Sequence, residues 1–160
     1  MNNVAIKQPD TPALRDAIFA LEKMIQDTPG SGLEEAGVTW VHRFTPGLYT
    51  REMIVPKGVL LTGAIHKTEH ISIMLTGRML VPDPVNGGSM ELVAPIIETA
   101  QPGIKRVGLA LEEVRWLTMH PTELTDVDEI VDLITTNDPA EVERLTGGGD
   151  KLIGSEGDEL

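Results

Sequence analysis

The chain has 160 residues and a mass of 17.3 kDa; 41% of the residues are apolar but only 3% aromatic, so one domain with a mainly aliphatic core is expected. It contains no cysteine, which excludes a disulfide scaffold, a thiolate metal site and a cysteine nucleophile. The formal net charge of −12 argues against broad contacts to a phosphate backbone, and so against direct nucleic-acid binding.

The first element is predicted as a helix. Thr11 or Asp10 can cap it, Pro12 sits in its first turn, and Leu14, Ile18, Leu21 and Ile25 recur at helical spacing. It stops at Thr28-Pro29-Gly30-Ser31-Gly32, and residues 1–37 are read as helix plus linker. A single apolar stripe on such a helix serves to dock it on the body or on a partner subunit.

From Val38 onward the pattern changes to short β-rich runs. The candidate strands are Val38–Phe44, Leu48–Val55, Val59–His66, His70–Leu75, Arg78–Val81, Met90–Val93, Val107–Leu111 and Arg115–His120. Pro-Gly, Thr-Gly and Asn-Gly-Gly turns separate them. Closely spaced short strands without intervening helices indicate an all-β sandwich or barrel over 38–121, not a parallel βαβ sheet.

After His120-Pro121 the period is helical again. Thr125 is the expected cap of one short helix carrying Ile130, Val131, Leu133 and Ile134. Asn137-Asp138-Pro139 opens another, and Gly147-Gly148-Gly149 ends it. Residues 1–120 carry 13 acidic and 11 basic side chains, whereas residues 121–160 carry 12 acidic and 2 basic. The segment 122–160 is therefore read as an acidic helical appendage that ends in a flexible tail. No apolar run reaches the roughly 18–20 residues of a membrane span, and the N-terminus has no signal-peptide layout. A cytoplasmic protein with no membrane partner is expected.

The stretch GVLLTGAIHKTEHISIMLTG holds the most information. On one continuous strand His66 and His70 would stand about 13 Å apart, too far to share an ion. Ile65, Ile71 and Ile73 oppose a helix there. A tight turn at Lys67-Thr68-Glu69 is the remaining option, and it lets two imidazoles converge across a hairpin. The competing reading is an ordinary pair of surface or core histidines.

The spacing here resembles the first motif of the cupin superfamily, written G, five residues, H-x-H, three or four residues, E, six residues, G. Gly58 is followed by five residues and then Ala64-Ile65-His66, with His70 and Gly77 at the remaining positions. Ala64 replaces the first histidine and His70 the glutamate. Pro102-Gly103 fits the turn of the second motif, with Arg106 near the place of its histidine. The resemblance spans roughly residues 40–120. It implies a double-stranded β-helix (jelly-roll barrel), flanked by the N-terminal helix and the short C-terminal helices read from the capping and periodicity above.

The family's metal set carries over only at His66, with His70 as a substitute ligand. His120 shares a strand face with Trp116 and Thr118 and is the candidate third ligand. Imidazoles suit a divalent transition metal such as Zn, Mn, Fe or Ni. Glu69 can add a carboxylate at the turn. Arg106, pointed into the barrel, would suit a small anionic ligand, the alternative for it and Lys105 being exposed turn positions. No phosphate loop, nucleophile elbow or H-E-x-x-H occurs, so covalent catalysis is not expected.

The functional expectation is thus a barrel that binds a divalent metal, a small anion or both, and supports metal-assisted chemistry. The alternative from a different class is a structural or adaptor subunit with a vestigial pocket, for example a phage virion component. Strand parity puts Ile71, Ile73 and Leu75 opposite His70, Ser72 and Met74. An outward aliphatic face, together with the resemblance, implies a homodimer.

Overall fold

The structure, a computed structural model, describes residues 11–83 and 85–147. The expected tail over 150–160 and Pro84 of the Asn-Gly-Gly turn lie outside the described residues. Helix α1 (Pro12–Gln26) begins as its sequence dictates: the Thr11 side chain accepts a hydrogen bond from the Leu14 amide at 3.2 Å, and Pro12 takes the first turn. Its apolar stripe docks on the same chain. Ile18 is buried, and Glu22 accepts hydrogen bonds from Thr62 Oγ1 at 2.7 Å and from Lys105 Nζ at 2.6 Å.

Ten strands carry the chain to His120: β1 (Thr39–Thr45), β2 (Leu48–Val55), β3 (Leu60–Thr62), β4 (Ile65–His66), β5 (His70–Thr76), β6 (Arg78–Pro82), β7 (Ser89–Val93), β8 (Ile96–Ala100), β9 (Val107–Ala110) and β10 (Val114–His120). One sheet runs β1-β2-β10-β5-β8 and a second runs β3-β9-β6-β7, and every pairing is antiparallel. The chain crosses between the sheets from β2 to β3, returns through β4 to β5, and crosses again from β5 to β6, β7 to β8, β8 to β9 and β9 to β10. This order is that of a double-sheet jelly roll.

Between the sheets lies one apolar core. Val55, Met74 and Val114 from the first sheet meet Leu61, Met79, Val81, Leu92 and Ala110 from the second. Burying aliphatic side chains such as these stabilises by about 1.5–3 kcal/mol each relative to exposure. The tight β5–β6 connection needs Gly77, whose φ is +90° and whose absent Cβ would sit 2.2 Å from the Glu113 carbonyl oxygen.

Four local expectations are corrected. The run Val59–His66 is not one strand: Gly63 donates its amide to Arg106 O and the chain bends, so that β3 and β4 join different sheets. Strand β8 was not expected, because Pro95 and the polar Glu98-Thr99 obscure its alternation. The first C-terminal helix, α2 (Val127–Ile134), is capped by Asp126 rather than Thr125, with the Asp126 carboxylate accepting from the Glu129 amide at 3.0 Å. Strand β11 (Thr135–Thr136), which pairs with β4, was also not foreseen. Helix α3 (Pro139–Gly147) follows the Asp138-Pro139 start as the sequence requires.

Candidate metal centre and adjoining cavity

The inner face of the first sheet is built by period-two alternation. On β5, His70, Ser72 and Met74 are buried while Ile71 and Leu75 are exposed, as strand parity requires. On β10 the same register places Thr118 opposite Ser72, so His120 follows one step beyond on that face. His66 arrives from the other side of the Lys67-Thr68-Glu69 turn. Its backbone is fixed at several points: β11 pairs Thr135 with His66, Gly103 donates its amide to His66 O at 2.9 Å, and Lys67 donates its amide to Ile134 O at 2.8 Å.

These supports bring the three expected histidines together. Ring centroids are 4.1 Å apart for His66 and His70, 4.7 Å for His70 and His120, and 5.1 Å for His66 and His120. One ring nitrogen from each lies within 4.8 Å of the others. His70 Nδ1 meets Thr68 O at 3.0 Å, so it carries the proton there and leaves Nε2 free. His120 Nε2 meets Thr118 Oγ1 at 3.0 Å. His120 Nδ1 and His66 Nδ1 are buried with no hydrogen-bond partner.

Electrostatics keep all three rings neutral at pH 7. Burial pushes the His66 pKa down to about 2, with His70, His120, Arg106 and Arg51 adding repulsion. Burial likewise lowers His120 to about 4, helped by His70 and Arg51. His70 is lowered mainly by burial, against the opposing bond to Thr68 O. Neutral imidazoles whose buried nitrogens lack partners have the chemistry that a divalent transition metal requires of its ligands. The residues therefore fit the metal that the motif implies.

A cavity of about 210 Å³ adjoins the cluster. His66 and His70 line one part of it, and Trp40, Met53, Leu61, Met79 and Trp116 make most of its wall apolar. Its polar groups are few. Trp116 Nε1 donates to Ser72 Oγ at 2.7 Å, Arg51 lies with its guanidinium carbon 3.8 Å from the Trp40 ring centroid, and Arg106 pairs with Glu98.

The other expected site residues stand as follows. Arg106 does line the cavity, but the buried Glu98 of β8 takes its guanidinium, so it offers no free charge to an anion. Glu69 is exposed, lies outside the histidine cluster, and accepts from Gln101 Nε2 at 2.8 Å. Lys105 is not an exposed turn residue: it is buried, bonded to Glu22, with its ammonium 5.0 Å from the Phe19 ring centroid. Sequence reasoning missed Arg51 and Glu98. A charged residue on the inward parity of β2, between Tyr49 and Met53, was the available signal for Arg51.

Strand order, two facing sheets and motif-spaced histidines at the inner face decide the architecture. It is a double-sheet jelly roll. No family model and no curated protein matches the chain. Among solved structures, the chain is similar to an acetylacetone dioxygenase from Acinetobacter johnsonii at 18% identity and TM-score 0.42, covering 54% of this chain and 60% of that one. It is also similar to KdgF from Halomonas sp., at 16% identity and TM-score 0.43 over 65% of this chain and 88% of the other. A cupin domain from Bordetella pertussis Tohama I overlays at 13% identity and TM-score 0.40, covering 53% and 93% of the respective chains. The fold assignment rests on the strand order of this chain. Among the described residues no helix is long and apolar enough to cross a membrane.

Proposed function

We propose that this cupin-type jelly roll binds one divalent transition metal through His66, His70 and His120 and receives a small ligand in the adjoining cavity. The observation that carries this reading is the meeting of three neutral imidazoles, each with a ring nitrogen within 4.8 Å of the others, in a cluster where His66 Nδ1 and His120 Nδ1 are buried without a hydrogen-bond partner. A histidine cluster with no other role leaves those nitrogens desolvated without compensation, at about 1–3 kcal/mol each. A bound ion removes that penalty. Such a metal, when bound, supplies Lewis-acid polarisation of a ligand oxygen.

The chain's own residues supply the rest. Thr68 O and Thr118 Oγ1 orient two of the rings, as outer-shell partners do for metal-ligating histidines. The apolar wall around Trp40 and Trp116 limits water beside them. The chain has no cysteine, and the cavity's serine, Ser72, is bonded through its Oγ to Trp116 Nε1 at 2.7 Å rather than to a histidine, which favours metal-assisted over covalent chemistry.

Elemental analysis of tag-free protein, before and after incubation with Zn, Mn, Fe and Ni, tests the reading. About one metal per chain is expected, and H66A/H70A should lose it while keeping the wild-type circular dichroism spectrum. Absence of uptake by the wild type with all four metals would overturn the proposal and favour a structural role.

A further inference from the structure

Arg51 differs from the other inner and outer arginines of the barrel. Arg43, Arg78, Arg106 and Arg115 each pair with a carboxylate. Among the described residues none pairs with Arg51, and its Nε is buried without a hydrogen-bond partner. The neighbouring Glu52 cannot serve it. Strand alternation turns Glu52 to the opposite face of β2, where Arg43 Nη1 bonds it at 2.7 Å and Arg115 Nε at 2.6 Å.

Arg51 faces the cavity and is held in place. In the register of the sheet it lies opposite Thr118 of β10 and His42 of β1, and the next inward pair along the same face is Tyr49 with His120. It is therefore a diagonal neighbour of the histidine cluster, at a Cα separation of about 7–8 Å. Stacking on Trp40 fixes the plane of the guanidinium, which suits two-pronged recognition of a planar anion.

We propose that Arg51 is the receptor for the carboxylate of a small, mainly apolar ligand that fills this cavity, with the remainder of the ligand directed along the apolar wall and toward His66 and His70. Three observations select that class. Glu98 pairs with Arg106, so among the described residues Arg51 is the cavity's arginine without a carboxylate partner, which fits a monoanion. The lining around Trp40, Met53, Leu61 and Trp116 is apolar. A cavity of about 210 Å³ suits a small ligand. The proposal deepens the metal-and-ligand reading and rests on the same cavity, but the Arg51 contact itself needs no metal.

Calorimetric titration with butyrate, and with its neutral analogue butyramide, tests it on metal-free and zinc-treated protein. Butyrate should bind the wild type, and Arg51→Met should weaken that binding at least tenfold, since Met keeps the stem against Trp40 but removes the fork. Butyramide should bind wild type and variant alike. Arg51→Lys, which keeps the charge without the fork, should fall between them and carries the comparison should Arg51→Met fail to fold. Equal butyrate affinity in wild type and variants, or no butyrate binding to the wild type in either metal state, overturns the proposal. Zinc uptake is read separately on each protein. Arg51-dependent butyrate binding without zinc uptake would remove the metal reading and leave this one standing, and zinc uptake with Arg51-independent binding would do the reverse.

Discussion

His66, His70 and His120 owe their chemistry to burial more than to their own identity. Each ring is neutral in the fold because desolvation outweighs every other influence, with nearby positive groups adding to it. That has a consequence for stability. In the unfolded chain these histidines titrate near pH 6.5, while in the fold His66 and His120 stay neutral down to about 2 and about 4. Below pH 6.5 the unfolded state therefore binds more protons than the folded one, and stability falls as pH falls. Each such histidine contributes a slope of up to about 1.4 kcal/mol per pH unit. Urea unfolding of the metal-free protein between pH 7 and pH 5 should show a falling midpoint, and H66Q/H120Q should flatten the curve. A pH-independent midpoint would contradict the burial argument. Gly77 is a second decisive residue: with φ at +90° and a backbone oxygen 2.2 Å from any Cβ, Gly77→Ala should destabilise by about 3 kcal/mol or more, read from the same unfolding curves.

At the level of elements, two segments outside the sandwich hold the site in shape. Helix α1 is attached through a buried charge. The Lys105 side chain is 0% exposed, and Glu22 is its carboxylate partner. Removing only one partner leaves an uncompensated buried charge, so Glu22→Gln should cost about 3 kcal/mol, while Glu22→Gln combined with Lys105→Met should recover most of the loss. A double-mutant cycle measured by thermal unfolding checks the coupling, and strictly additive losses would refute it. On the other side, α2 buries Ile130 and Ile134 against Tyr49, and the chain then pairs Thr135-Thr136 with Ile65-His66. The segment set apart in sequence at 122–160 thus contributes to the backbone that positions a candidate ligand. Thr136→Pro removes the residue's amide donor and disturbs that ladder. Zinc affinity should drop tenfold or more, with a smaller change in the core transition. Unchanged zinc affinity would show that His66 is positioned by Gly103 and the turn alone.

For the molecule as a whole, the outer face of the first sheet stays open although α1 docks on its own chain. Ile71, Leu75 and Ile97 are 38%, 39% and 60% exposed. The two-fold homodimer expected from the sequence stands as a proposal on that face, tested by light scattering across a dilution series, where a monomer mass at every concentration would overturn it. The sequence by itself determined the strand-rich body, the capped first helix, the inward parity of His70, Ser72 and Met74, and the turn that joins His66 to His70. These are local properties: period-two alternation, fixed turn residues and caps act within a few positions and need no distant partner. Only the tertiary structure decided which polar groups remain free. Arg106 and Arg51 are indistinguishable as isolated arginines, yet β8 brings Glu98 to the first and strand alternation turns Glu52 away from the second. The roles of Glu98, Lys105 and Thr135 likewise depend on pairings across strands, loops and helices far apart in the chain. Charge compensation is a property of three-dimensional neighbours, and no sequence period encodes it.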